Sequence, residues 1–299
     1  MIAVDGLRKS YGDVVAVRDI TFSVQEGEVL AVLGPNGAGK TTTVEILEGY
    51  RPRDAGSVSV LGADPWHGAP ALRERIGVVL QEAGVDHFLT VSEAVRMHGE
   101  LYRHPRPVDE VIDLVGLTEK ESARVKSLSG GQRRRLDVAL ALIGDPELLF
   151  LDEPTTGFDP TARRQAWGVI KNLCSLGKTV LLTTHYMDEA QFLADRVIVI
   201  AGGAIVAEGP PDSIGGRASG RARIRFELPA GVAVAELPVG TSAVDGINVL
   251  IETATPTATL HRLTEWAVGR GVELAALAVD RPSLEDVYLS LIGHSEAIG

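Results

Sequence analysis

One cysteine, Cys174, stands in 299 residues, and aromatic residues make up only 5% of the chain. A lone thiol cannot close a disulfide within the chain. A disulfide-stapled secreted scaffold is therefore excluded, and a reducing compartment is expected. Cys174 reads as a buried apolar thiol ahead of a nucleophile. No apolar run approaches the roughly 20 residues that a membrane-spanning helix needs. The longest stretches, VIVIAGGAIVA and ELAALAV, read as core strands, so any membrane spans must come from another chain. The opening residues, MIAVDGLRKSYGD, lack the charged and apolar blocks of a signal peptide, and no leader is expected. Basic charge is scarce: the net charge is −11, and lysine is absent after residue 215. Nucleic-acid surfaces depend on clustered Lys and Arg, so no nucleic-acid partner is expected. The local run Arg133–Arg135 reads as a solvated helix face.

What is present suits a large globular chain. Hydrophobic residues make up 45% and charged residues 23%, and the length allows one large or two modest domains. Val29 to Leu33 reads as a buried β-branched strand that runs through a glycine-rich turn into a helix starting near Gly39. GSVSVLG reads as an exposed edge strand, and RIGVVLQE as a strand ending at Gln81. VSEAVRMHGELY and VDEVIDLVGL carry helical patterns. Ser129 is a suitable N-cap for a helix reaching about Ile143. ELLFLDE is a strand, PTARRQAWGVIKNLCSLG a helix closed by Gly177, KTVLLTTH a strand and MDEAQFLA a helix. DRVIVIAGGAIVAEG reads as a hairpin turning at Gly202–Gly203. Strands alternating with helices predict a largely parallel sheet covered on both faces. The Gly/Pro/Ser-rich segment EGPPDSIGGRASG marks a boundary, giving domains over 1–214 and 215–299. In the second, RARIRFEL, INVLIE and VELAALAV read as strands around one long helix, PTATLHRLTEWAVGR.

GPNGAGKTT, Gly34 to Thr42, fills every position of the phosphate-loop pattern between a strand and a helix. Its glycines let backbone N–H groups converge on phosphate oxygens, and the helix N-terminus adds partial positive charge. Lys40 then reaches the β- and γ-phosphates of a nucleotide, and Thr41 offers a hydroxyl to Mg²⁺. Asp152 and Glu153 end a buried strand, and ligands of open α/β sheets bind beyond such ends. Asp152 can face the metal, and Glu153 the water that attacks the γ-phosphate.

These motifs together with LSGGQ, Leu128 to Gln132, resemble the nucleotide-binding subunits of ATP-binding cassette (ABC) transporters, over residues 1 to about 210. The resemblance implies an α/β P-loop cassette with a helical subdomain, followed here by a small C-terminal α/β domain. It implies ATP and Mg²⁺ as ligands. Gly34, Pro35, Asn36, Gly37, Ala38, Gly39, Lys40, Thr41 and Thr42 would hold the nucleotide, and Tyr11 would stack on adenine. Ser129, Gly130, Gly131, Gln132 and the D-loop Asp159 would contact ATP bound to a second copy, so that a homodimer closes around two ATP. Thr41, Gln81 and Asp152 would hold the metal. Glu153, the switch histidine His185 and the Q-loop Gln81 would serve catalysis. Taken singly, Tyr11 reads as a surface aromatic and His185 as a strand-end histidine; their joint placement carries the assignment. Phe158 departs from the leucine more common in the D-loop, and adjusted subunit packing is the expectation.

The ending DRPSLEDVYLSLIG, and the stretch from Arg133 to Pro160, resemble daunorubicin-resistance ATPase subunits. That implies a separate integral-membrane permease, export of a hydrophobic drug or lipid-like compound, and a peripheral place on the cytoplasmic face of the membrane. A generic appendage without substrate information is the competing reading of the tail. A soluble ABC ATPase acting on ribosomes or DNA is the alternative function, opposed by a single cassette, no heptads and an acidic balance. A nucleotide-binding module without hydrolysis is opposed by the presence of both Glu153 and His185.

Overall fold

The computed structural model describes residues 1–79, 84–216 and 221–296. In chain order the strands are β1 (Ile2–Tyr11), β2 (Val14–Val24), β3 (Val29–Leu33), β4 (Ala55–Val60), β5 (Ile76–Val79), β6 (Leu148–Asp152), β7 (Thr179–Thr183), β8 (Arg196–Ala201), β9 (Ala204–Gly209), β10 (Ala222–Glu227), β11 (Ala243–Asp245), β12 (Asn248–Thr253) and β13 (Ala278–Asp280). The helices are α1 (Lys40–Leu47), α2 (Ala69–Arg73), α3 (Val91–Gly99), α4 (Val108–Leu114), α5 (Gly130–Leu142), α6 (Pro160–Ser175), α7 (Met187–Leu193), α8 (Pro256–Arg270) and α9 (Leu284–Glu296). The chain divides into two compact units, one over Met1–Pro211 together with the described residues from His294 on, and the other over Asp212–Gly293.

The first unit is built on a six-stranded sheet of order β5-β6-β7-β3-β8-β9. Its first five strands pair in parallel, and β9 returns antiparallel to β8. Gly202 and Gly203 both take positive φ, 56° and 81°, as a tight hairpin with matching twist requires. All five residues of β3 and of β7 are buried, which is why they read as continuous apolar runs. Leu30, Val32, Phe150, Leu181 and Ile198 form one core with Val44, Ile46 and Leu47 of α1 and with the inner residues of a second sheet. Each such leucine contributes roughly 1.5–3 kcal/mol of burial free energy. The second sheet is antiparallel, order β2-β1-β4, with β4 at an edge as its alternation suggested. The sequence reading assigned no strands to the segment that forms β1 and β2. Elsewhere α5 packs on β5, α7 on β3, and α3, α4 and α5 on one another as a helical subdomain. The capping box of Thr90 and Glu93 starts α3.

The second unit has a four-stranded antiparallel sheet of order β11-β12-β10-β13. Ile224, Phe226, Val249 and Ile251 pack with Leu263 and Ala267 of α8. VELAALAV does not form a full strand: only its end enters β13. A turn at Ala275–Ala276, with Ala276 at φ 54°, breaks the extended run. The unit also holds most of a second helix, α9, that the reading of one long helix omits. Its signal was present: the Ser283 hydroxyl accepts from the Asp286 N–H at 3.0 Å, and Asp286 accepts from the Ser283 N–H at 2.7 Å. Among the described residues, no helix is long and apolar enough to cross a membrane.

Candidate functional site

The carboxyl ends of β3, β7 and β6 lie side by side, so the segments leaving them share one edge of the sheet. The phosphate loop leaves β3 under tight constraint. A Cβ at Gly34 would stand 2.3 Å from the Ile200 carbonyl oxygen. One at Gly39, where φ is 101°, would stand 2.3 Å from the Ala16 carbonyl oxygen. Only glycine fits either place. Lys40 is 7% exposed, and its ammonium donates to the carbonyls of Gly34 at 2.7 Å and Pro35 at 2.9 Å. An ammonium has three donors, so one remains for a ligand. Burial lowers the Lys40 pKa, and the Glu153 and Asp152 carboxylates oppose that shift. Helix α1 starts without a side-chain cap and without an acid in its first turn. Its leading N–H groups thus stay available to an anion.

Asp152 ends β6 opposite Thr183 of β7, whose hydroxyl donates to Asp152 Oδ1. Glu153 follows with φ 45°, a left-handed conformation rare for a side chain of its kind. Its N–H points at Thr183, 3.1 Å from both the carbonyl and the hydroxyl oxygen. Its carboxylate is held from two sides: Thr156 donates to Oε2 at 3.0 Å, and His185 Nδ1 lies 3.3 Å from Oε1. The structure therefore gathers Lys40, Asp152, Glu153 and His185. Among the described residues there is no cluster of three or more His, Cys, Asp or Glu suited to a metal. The local donor set, Asp152 with the exposed Thr41 hydroxyl, instead fits a hard ion that keeps waters and phosphate oxygens as its other ligands. Gln81 lies outside the described residues.

Tyr11 ends β1, 41% exposed, with the cations of Lys9 and Arg51 each 5.6 Å from its ring centre. Arg51 also pairs with Glu45 of α1, which ties the ring to the helix that carries the phosphate loop.

The signature residues form a separate group. Ser129 and Gln132 close a capping box at the start of α5: the Ser129 hydroxyl accepts from the Gln132 N–H at 3.3 Å, and Gln132 Oε1 accepts from the Ser129 N–H at 3.0 Å. They share a cleft of about 530 Å³ with Gly130, Gly131, Phe158 and Asp159, and no phosphate-loop residue lines it. Asp159 caps α6, its Oδ1 accepting from the N–H groups of Thr161 and Ala162 at 2.9 Å each.

Three residues that the sequence reading passed over belong to this region. Thr183 is one. The run Arg133–Arg135 is not a solvated face: Arg134 is buried and donates to backbone carbonyls, and Arg135 donates to the Gly116 carbonyl at 2.8 Å. Asp137, one turn on in the otherwise apolar stretch Leu136–Leu142, was the available signal. Glu189 of α7 is fully buried, accepting from Thr155 Oγ1 at 2.8 Å and Trp167 Nε1 at 2.9 Å; burial raises its pKa. Cys174 is half-buried, and burial pushes its thiol up to about 11, which leaves it an inert thiol.

Residues 17–156 match the ABC transporter family, and residues 222–283 match the C-terminal domain family of ABC transporter domain-containing-like proteins. The daunorubicin resistance ATP-binding protein of Streptomyces coeruleorubidus is 39% identical over 308 residues, covering 99% of this chain and 97% of its own. The Nod factor export ATP-binding protein I of Ralstonia nicotianae is 43% identical over 220 residues, covering 72% of this chain and 68% of its own. Among solved structures, the dimeric post-hydrolysis state of an ATP-binding cassette bound to ADP and phosphate superposes with a TM-score of 0.62. It has 26% identity and covers 70% of this chain and 98% of that one. The chain with this phosphate loop, acidic strand end and signature cleft belongs to the ATP-binding, ATP-hydrolysing subunits of the ABC transporters, on the branch of the daunorubicin-resistance ATPases.

Proposed function

We propose that this ATPase subunit powers export of a hydrophobic drug or lipid-like compound through a separate integral-membrane permease. The observation that carries the reading is the meeting of Lys40, Asp152, Glu153 and His185 at one sheet edge, in a chain similar along nearly its full length to a drug-resistance ATPase. Lys40 and the N–H groups from Gly34 to Thr42 hold the phosphates, and Tyr11 stacks on the adenine. Thr41, Asp152 and Gln81 would hold Mg²⁺. That ion, when bound, supplies charge neutralisation at the β- and γ-phosphate oxygens. Glu153 orients the attacking water and draws on its proton, while His185 and Thr156 fix the carboxylate. The Ser129–Gln132 cap and Asp159 face ATP held by a second copy, so a homodimer completes both sites. The subunit docks on the permease at the cytoplasmic face of the membrane, with no role for nucleic acid.

Mixing single variants tests the composite site. Lys40→Ala and Ser129→Arg subunits should each be inactive alone. Mixed, they put both lesions at one interface and leave one intact site, so ATPase activity partly returns. Rescue by wild type of the double variant that exceeds this would place both residues at one site in cis and end the dimer reading. The transport reading is tested by affinity capture from membranes: co-purification of a multi-span protein supports it, and ribosomes in its place would overturn it.

A further inference from the structure

Arg134 is the fifth residue of α5 and is 9% exposed. Its guanidinium donates to three consecutive carbonyl oxygens at the end of β6: Nη2 to Asp152 at 2.7 Å and to Glu153 at 3.3 Å, and Nε to Pro154 at 3.1 Å. Asp137, on the next turn of α5, lies 3.8 Å from Nη1. These three carbonyls bracket the point where β6 stops pairing and the chain turns into the left-handed conformation at Glu153. Such a backbone costs on the order of 1 kcal/mol or more and persists only where its surroundings hold it. Thr183 holds it from the β7 side through the Glu153 N–H. Arg134 holds it through the carbonyls. A planar fork with five N–H groups can serve three acceptors in fixed geometry, which a lysine ammonium on a flexible stem cannot.

The same helix begins with the capping box of Ser129 and Gln132, one turn before Arg134. We propose that Arg134 is a positioning residue for ATP hydrolysis: it fixes the peptide groups around Glu153 to the signature helix, so that placement of Ser129 against the partner's ATP also places Glu153 at the chain's own. The inference rests on the roles given to Glu153 and Ser129 above. Helix α5 is a rigid lever here, because from Leu136 to Leu142 all its side chains are buried and cannot yield locally. A shift of about 1 Å in a group that aligns water costs on the order of 10²-fold in rate, and nucleotide affinity needs no change.

The test uses the full chain with Arg134→Lys, and with Arg134→Gln, which keeps an amide donor without a buried charge. Turnover and KM for ATP are measured, with thermal melting as the check on folding. In parallel, each substitution is added to Glu153→Gln, and ATP-driven dimer formation is followed by size exclusion. The expected result is kcat reduced about 10- to 100-fold with KM within about threefold of wild type, and an undiminished ATP-locked dimer. Turnover within about twofold of wild type in a folded variant overturns the inference, as does a fall in kcat that comes only with loss of ATP binding or of the dimer. Failure of both variants to fold also overturns it and makes Arg134 a purely structural residue. Should Glu153→Gln by itself retain turnover, the underlying reading of Glu153 fails instead; that result is independent of the two Arg134 variants.

Discussion

Helices α1 and α5 both open on glycines at loops assigned to phosphate, yet their first turns are built in opposite ways. Helix α1 begins at Gly39 with no side-chain cap and no acid in the first turn. Helix α5 begins with Ser129 and Gln132 satisfying each other's N–H groups. The first start leaves its donors unfilled and needs an anion to complete them. The second satisfies two of its N–H groups with its own side chains, and the Ser129 hydroxyl, already an acceptor for Gln132, still has its proton to donate. One start is therefore a seat, stabilised by what it binds. The other is a preformed tip that can be presented to a ligand seated elsewhere.

The sharpest way to separate seat from tip is to remove the chemistry and leave both. Glu153→Gln should lower turnover by about 10²- to 10⁴-fold, the range for loss of a general base, while ATP binding persists. Steady-state hydrolysis and nucleotide titration measure the two. Turnover within a few-fold of wild type would reject the assignment.

The far end of α1 carries a second contrast, visible in pH. Glu48, its buried C-cap residue, has its pKa raised to about 8, first by burial and then by the Asp152 and Glu45 charges. A raised carboxyl pKa leaves stability whole below the unfolded value near 4.5 and removes it as pH rises through about 8. Glu48→Gln should thus melt with the wild type near pH 5 and become more stable by a few kcal/mol above pH 8, since each tenfold change in proton affinity is about 1.4 kcal/mol. Asp137, raised to about 6, and Glu189 move in the same direction, so the difference between variant and wild type is the quantity to follow. Parallel melting curves from pH 5 to 9 would refute the buried-acid account.

At the seat itself, Lys40→Ala removes a charge-assisted donor worth about 1.5–3 kcal/mol, so ATP affinity should fall roughly 10- to 100-fold in a fluorescence titration. Unchanged affinity would mean that the backbone N–H groups suffice. The smallest effect is expected at the tip. Ser129→Ala should cost about 1 kcal/mol of stability through loss of the cap, with ATP affinity of the lone subunit unchanged. A weakened ATP affinity in that variant would merge the two starts into one site.

What could be read from the sequence follows from the same contrast. The phosphate loop and the signature are written in local backbone chemistry: glycines where a Cβ would strike a carbonyl, a serine three residues before its capping partner. Such features need no knowledge of the fold. Buried strands β3, β6 and β7 announce themselves through composition, and the C-terminal edge that they share follows from parallel topology. Arg134, Thr183 and Glu189 act through contacts with residues 20, 31 and 34 positions away, respectively. A charged run does not say by itself which of its members turns inward; Asp137, three residues on from Arg134, was the one pointer. The failure at VELAALAV has another cause: its apolar pattern was intact, and a turn at two alanines, residues without turn preference, ended it.

The bond between Trp167 and Glu189 has an optical consequence. The indole is 8% exposed, donates to a carboxyl that also accepts from Thr155, and stacks on Phe192 with ring centres 5.2 Å apart. Of the three tryptophans, Trp66 is 44% exposed and should emit as a solvated indole. Trp167 is in a dry, hydrogen-bonded setting, linked through Glu189 to Thr155, which follows Glu153 closely in the chain. The protein therefore carries its own fluorophore linked to the segment that follows Glu153. With Trp66 and Trp266 replaced by phenylalanine, a change in emission on adding ATP would report movement of the Thr155 segment in real time, without any label.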